Sequence, residues 1–134
     1  MTTADAQATV GGFVKAIAGE QFDDARTLLH HEFVVYEAGG LPYSGEYHGP
    51  DGFFELLGKM NQAMELTPGE TFQYLLADDT VAIRGRLRFT SRASGQSVEM
   101  GLVEIYTVRD GLIVELDVYY KDPSAVAALL AVER

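Results

Sequence analysis

The stretch SVEMGLVEIYTVRDGLIVELDVYYK, residues 97–121, decides the fold. Two β-branched and aromatic runs flank Asp110-Gly111. An Asp-Gly pair between such runs predicts a tight hairpin, because both central positions of the turn need a positive φ. The same pattern continues upstream. It predicts strands over 71–77, 80–91, 97–109 and 112–121, joined by turns at Asp78-Asp79, Ala93-Ser94-Gly95-Gln96 and Asp110-Gly111. These four strands form a meander.

Before the meander the apolar period changes from two to about 3.6. Val10, Phe13, Val14 and Ile17 recur at helical spacing, and Gly19 is a stop. A second short helix carries Phe22, Ala25, Leu28 and Leu29 on one face, with Asp23 and Asp24 near its positive end. Residues 32–37 read as a strand. Gly39, Gly40, Pro42, Gly45 and Gly49 then predict an irregular loop up to Pro50. Pro50 opens a third helix with Phe53, Phe54, Leu57, Met60 and Met64 on one face. After Lys121-Asp122-Pro123-Ser124 a last helix spans 125–132. Helices segregated from a mostly antiparallel sheet define the α+β class. The whole length, 1–134, reads as a single domain.

Composition removes several function classes. Twenty acidic residues against ten basic ones give a net charge of −10, which repels nucleic acid and anionic membrane surfaces. With no cysteine, disulfides, iron–sulfur clusters and thiolate zinc sites are excluded. An apolar fraction of 47% is that of a globular protein, not a disordered one. The first residues lack a basic start and an apolar run, and no stretch reaches transmembrane length, so a soluble cytoplasmic protein is expected.

Strand parity locates a candidate site. In 80–91, Val81, Ile83, Gly85, Leu87 and Phe89 share one face, and Arg84, Arg86 and Arg88 the other. The arginines read as a ladder paired with acids on neighbouring strands such as Glu99, Glu115 or Asp117, with an anion site as the rival reading. In 97–109 the apolar parity runs Val98, Met100, Leu102, Glu104, Tyr106, Val108. One carboxylate interrupts an apolar stripe, where charge is costly and the neutral acid is favoured. Glu104 is then a protonated donor to a substrate, or a carboxylate satisfied by a tyrosine or backbone group, or a residue turned outward by a bulge. Phe33, Val35 and Glu37 share parity in the first strand, and Glu37 ends it on the apolar side. Together Glu37 and Glu104 make a candidate acid–base pair. Leu116, Val118 and Tyr120 line the same cavity as Leu102 and Tyr106 if the sheet curls.

Other groups are weaker. His30 and His31 read as adjacent residues at a helix end, and His48 as a cap or pocket edge. Three scattered histidines without a His-x-x-x-His spacing predict no metal site. Gly52 to Gly58-Lys59 has the wrong spacing for a phosphate loop and lies inside a helix.

Three segments resemble one superfamily over nearly the whole chain. They are Phe13-Val14-Lys15-Ala16-Ile17-Ala18-Gly19-Glu20, Tyr47-His48-Gly49-Pro50-Asp51-Gly52-Phe53-Phe54 and Asp110-Gly111-Leu112-Ile113-Val114-Glu115. They resemble the nuclear-transport-factor-like superfamily, which includes ketosteroid isomerases, SnoaL-like polyketide cyclases, scytalone dehydratase and limonene epoxide hydrolase. The resemblance implies a cone: a curved, mostly antiparallel sheet wrapped around N-terminal helices. Laid on the ketosteroid isomerase pattern, Glu37 falls at the position of the carboxylate base and Glu104 at that of the protonated oxyanion donor. Ketosteroid isomerase is the standard example of a carboxylic acid kept neutral by an apolar site. The helix-one tyrosine of that pattern is Phe13 here, and Tyr106 or Tyr120 are the hydroxyls that could compensate. Leu102 stands where the epoxide hydrolase pattern expects an arginine, and Asp117 has outward parity. The resemblance also implies a homodimer through the outer sheet face, where Val103, Ile105 and Thr107 lie flanked by the arginines.

The expected function is acid–base chemistry on an apolar carbonyl compound: isomerisation, cyclisation or dehydration. Glu37 and Glu104 are the expected catalytic residues. Phe13, Phe54, Leu102, Tyr106, Leu116, Val118 and Tyr120 are the expected substrate-binding residues, with no cofactor or metal. The alternatives are a non-catalytic ligand-binding pocket, or an epoxide hydrolase or epoxide-opening cyclase.

Overall fold

The computed structural model describes residues 2–132. A capping box starts helix α1 (Thr3–Ala18): the Asp5 amide donates to the Thr2 hydroxyl, and the Asp5 carboxylate accepts from the Thr2 amide, each at 3.1 Å. Gly19 caps its C-terminus, and α2 (Phe22–Arg26) follows after a short turn. Six strands build one curved, unclosed sheet in the order β2-β1-β6-β5-β4-β3. Their spans are β1 (Leu29–Glu37), β2 (Gly45–His48), β3 (Met64–Ala77), β4 (Thr80–Ser91), β5 (Ser97–Arg109) and β6 (Leu112–Tyr120). Helix α3 (Gly49–Ala63) joins β2 to β3, and α4 (Pro123–Ala131) ends the chain. Every strand pairing is antiparallel except β1 with β6.

The meander follows its sequence signals closely. Asp110 and Gly111 have φ of 55° and 78°, the two positive values that the tight hairpin requires. Inner-face parity is also as read: Val81 and Phe89 are fully buried, and Ile83, Met100 and Tyr106 nearly so. Arg86 and Arg88 both reach Glu99 on the outer face, at 3.2 and 3.6 Å.

Four local readings are corrected. Leu28 and Leu29 are not helical, because Leu29 pairs with Ile113 and is buried there, so sheet pairing overrides the helical period. His30 and His31 consequently sit in β1, not at a helix end. The glycine-rich loop contains β2, whose Tyr47 opposes Val35 and is buried. Gly45 carries a φ of 117°, so the glycines that suggested a loop serve the entry to a short strand. Met64 caps α3 and begins β3, which runs through Pro68 by means of a bulge between Pro68 and Phe72. Proline is tolerated there because β3 is an edge strand whose outer N–H groups have no sheet partner.

The core lies between the concave sheet face and helices α1 and α3. Val10, Phe13 and Ala16 face it from α1, and Phe53 and Leu56 from α3. No helix among the described residues is long and apolar enough to cross a membrane.

Two glycines of α3 separate local propensity from packing. A Cβ at Gly52 would lie 2.9 Å from the Tyr47 carbonyl carbon, whereas one at Gly58 would meet nothing within 4 Å. Gly52→Ala is expected to destabilise by about 1–3 kcal/mol by pushing α3 off β2. Gly58→Ala is expected to stabilise by about 0.5–1 kcal/mol through helix propensity alone. Thermal melts of the two variants check the opposite signs.

Candidate functional site

A cavity of about 470 Å³ opens between the helices and the concave sheet face. That volume lies within the ordinary range for small-molecule sites. Register explains its polar end. Glu104 pairs with Val118 on one side and Ile83 on the other, and Tyr106 pairs with Leu116 and Val81. Across β6, Val35 pairs with Leu116 and Tyr36 with Asp117, which brings Glu37 level with Val118. Val118 therefore separates the two glutamates, whose backbones stand roughly 10 Å apart at the usual strand spacing. Both side chains line the cavity, and both residues are partly buried.

The two carboxyl groups are held in unlike ways. Glu37 is pushed up to about 7, first by burial and further by the charge of Glu104. Hydrogen bonds from the Ala38 backbone and the Tyr120 hydroxyl oppose that rise. The Ala38 amide donates to Glu37 Oε1 at 2.9 Å. Glu104 is also pushed up to about 7 by burial, and a hydrogen bond with Tyr106 alone opposes it. No lysine or arginine among the described residues lines the cavity, so no cation offsets the desolvation. Repulsion between the groups favours a pair carrying one proton near neutrality. Glu37, with a backbone N–H that can only donate, is the better seat for the charge. Glu104, with one tyrosine, is the better seat for the proton.

Of the seven residues expected to bind substrate, Phe13, Leu102, Tyr106, Leu116, Val118 and Tyr120 line this cavity together with both glutamates. Phe54 does not. It lies outside, with the Phe22 ring edge-on at 5.9 Å and the Arg26 guanidinium 4.9 Å above its own ring. Its neighbour Phe53 takes the inner place, 5.2 Å from the Phe13 ring. Phe53, Leu57 and Met60 fall on one stripe at i, i+4 and i+7 and line the cavity with Leu56 and Asn61, whereas Phe54, on the flank of that stripe, packs against Phe22 and Arg26 of α2. Phe13, where the isomerase pattern has a tyrosine, offers no hydroxyl, and its ring meets Tyr106 edge-on at 6.2 Å. The Tyr106 hydroxyl beside Glu104 is the donor available on that side.

The remaining candidates lie elsewhere. Asp117 is on the outer face and accepts from the Tyr119 hydroxyl at 2.8 Å. With Leu102 in the cavity and Arg84, Arg86 and Arg88 outside it, an acid–arginine–acid set is not assembled there. The register shift in β1 stacks the His30 and His31 rings at 4.3 Å and brings ligand atoms of His30, His31 and Glu32 within 4.8 Å of one another. This group is remote from the cavity lining, His30 Nδ1 already accepts from the Glu32 amide, and Arg109 stands 4.0 Å from the Glu32 carboxylate.

Comparison with known proteins agrees with this architecture. The family model described as SnoaL-like domain matches residues 10–116. An NTF2-like protein from Burkholderia xenovorans superposes with a TM-score of 0.90 at 19% identity, covering 97% of this chain and 98% of that one. A proposed polyketide cyclase from Xanthomonas campestris superposes at 0.82 with 16% identity, covering 97% and 99%. TerC, co-crystallised with polyporic acid, superposes at 0.80 with 18% identity, covering 96% and 99%. At these identities the likeness establishes the fold. No curated protein matches the sequence significantly.

The raised carboxyls have a consequence for stability. Both titrate near 4.5 when exposed and near 7 in the fold, so the folded state binds protons more tightly. Their favourable contribution is complete below about 4.5 and is lost as pH rises through about 7. Glu104→Gln removes the ionisation and keeps a partner for Tyr106. At pH 8 the variant is expected to melt roughly 5 °C above the parent, and by about pH 5 the advantage should vanish. Calorimetry at the two pH values checks it.

Proposed function

The chain belongs to the SnoaL-like domain family, and from that premise we propose that it is an acid–base enzyme of cyclase or isomerase type acting on an apolar carbonyl compound. The observation that carries this reading is two carboxyl groups facing one apolar cavity, both raised by burial to about 7. General acid–base catalysis is most effective when the group titrates near the operating pH.

In the proposed reaction the Glu37 carboxylate takes a proton from the carbon next to the substrate carbonyl. The C–H bonding pair moves into the new C=C bond, and the carbonyl π pair onto oxygen. Glu104, carrying the proton of the pair, donates to that oxygen as negative charge develops. Tyr106, which lines the cavity beside Glu104, stabilises that carboxyl. Return of the proton at another carbon gives isomerisation. Attack of the enolate carbon on a second carbonyl of the same molecule gives cyclisation. Loss of a β-hydroxyl, protonated as it departs, gives dehydration. The apolar wall of Phe13, Leu102, Leu116 and Val118 binds the carbon skeleton and excludes water, which strengthens each polar contact.

Phe13 supports a second reading, a pocket that binds its ligand without turnover, because it withholds the hydroxyl of the isomerase pattern. For the assembly we propose a homodimer through the outer sheet face. The half-buried Val103 lies there between Arg84 and Tyr119, Ile105 between Ala82 and Asp117, and Thr107 beside Glu115. Charges of both signs on one face let a two-fold axis set unlike charges together.

A panel of enones and β-diketones tests the reaction. Turnover is expected to fall on both sides of neutrality. Glu37→Gln should lower kcat by about 10²–10⁴-fold. Glu104→Gln, which keeps a hydrogen-bond donor but cannot ionise, should lower kcat by about 10²–10³-fold and flatten the alkaline limb. Binding without turnover across the panel selects the second reading.

A further inference from the structure

The loop between β1 and β2 is an ordered plug behind Glu37. The Ser44 hydroxyl donates to the Ala38 carbonyl at 2.6 Å and accepts from the Leu41 amide at 2.7 Å. Leu41 and Tyr43 are buried. The Tyr47 hydroxyl donates to the Tyr43 carbonyl at 2.9 Å, and Lys59 Nζ donates to the Tyr47 hydroxyl at 3.3 Å. This frame fixes the Tyr43 ring, whose hydroxyl stands 2.9 Å from that of Tyr120. Tyr120 stands two residues beyond Val118 on the inner face of β6, diagonal to Glu37 across the β1–β6 pairing, and lines the cavity within interaction range of its carboxyl. Tyr120 lines the main cavity and Tyr43 does not. Tyr43 is instead a wall residue of a second depression of about 390 Å³.

We propose that Tyr43 is a positioning residue that acts through Tyr120: the pair forms a one-way hydrogen-bond relay that makes Glu37, not Glu104, the anionic member of the carboxyl pair. The proposal rests on the reading of Glu37 as the base.

Its polarity follows from counting donors. An ionised carboxylate can only accept, so Tyr120 donates to Glu37. The Tyr120 oxygen is then free to accept, and Tyr43 donates to it. Every hydroxyl proton is used. If Glu37 is protonated and donates along the chain instead, Tyr120 donates to Tyr43. The Tyr43 proton then has to find water, because among the described residues Tyr120 is its one hydrogen-bond partner. Reversal is therefore unfavourable, and chained hydroxyls strengthen one another in the favoured direction. On the Glu104 side Tyr74 lies near Tyr106, but among the described residues no hydrogen bond joins the two tyrosines, so no hydroxyl chain comparable to Tyr43–Tyr120 is formed there. The titratable groups facing Glu37 are Glu104 and Tyr106 from β5 and Tyr120 from β6, with Tyr43 behind Tyr120 and Glu20 also in the cavity lining.

The test is ¹³C NMR titration of the glutamate side-chain carboxyls in the full chain, with Glu37→Gln to assign the Glu37 signal. In the parent protein Glu37 is expected to titrate near 7. Tyr43→Phe keeps the ring and removes only the distal hydroxyl, and should raise the Glu37 midpoint by roughly half a unit. Tyr120→Phe removes the direct donor and should raise it by about one unit or more. Tyr47→Phe, which removes one bond of the frame but leaves both relay hydroxyls in place, should raise it by clearly less than Tyr43→Phe does. A Tyr43→Phe midpoint equal to the parent's, or an equal shift in Tyr47→Phe, overturns the relay while a parent midpoint near 7 leaves the acid–base reading standing. A parent midpoint at the ordinary carboxylate value overturns both.

Discussion

Desolvation of two carboxyl groups by one apolar cavity sets the terms for the rest of the molecule. The inner faces of β1, β5 and β6 are apolar except for Glu37, Glu104 and the hydroxyls that serve them. The basic residues of β4 point the other way, where Arg86 and Arg88 share Glu99. A cation inside would settle both carboxylates in their charged form and end their usefulness near neutrality. With arginine kept on the convex face, no described lysine or arginine in the cavity lining fixes either acid in its charged form.

The hydrogen-bond partners then break the symmetry of that pair. A backbone amide at the β1 terminus donates to Glu37 whatever its protonation state, and Tyr120 adds a second donor. Glu104 sits in mid-strand, where its backbone groups belong to the sheet, and among the described residues Tyr106 is the one side chain that opposes its raised pKa. The position of each acid along its strand thus decides which one holds charge. Strand ends have spare amides and strand middles do not.

Most of this was legible in the sequence because it depends on parity, which a β-meander with tight turns preserves. Glu104 interrupting the stripe Met100, Leu102, Tyr106, Val108 needed no structure to be noticed, nor did Glu37 at the end of its strand. What was not legible depended on contacts between distant segments. Leu28 and Leu29 carry a helical period, yet Leu29 is claimed by Ile113. Tyr47 sits among glycines and proline that signal a loop, yet it completes a strand against Val35. Phe53 and Phe54 are adjacent and chemically identical, so only the helix stripe distinguishes the one that enters the cavity. Tyr43 was silent for the same reason: its role depends on meeting Tyr120 across the fold.

The single parallel pairing, β1 with β6, bears on how the molecule comes together. The meander β3 to β6 closes by successive hairpins, each bringing near neighbours of the chain into contact. Strand β1 docks only when the last of those strands is in place, which closes most of the chain into one loop and costs correspondingly more entropy. Glu104 therefore belongs to a part of the sheet that local contacts can build, and Glu37 to a strand whose pairing with β6 requires a long loop to close. Any excursion that releases β1 from β6 returns both acids to water and to ordinary carboxylate behaviour. The two carboxyls share one cavity only in the completely folded chain.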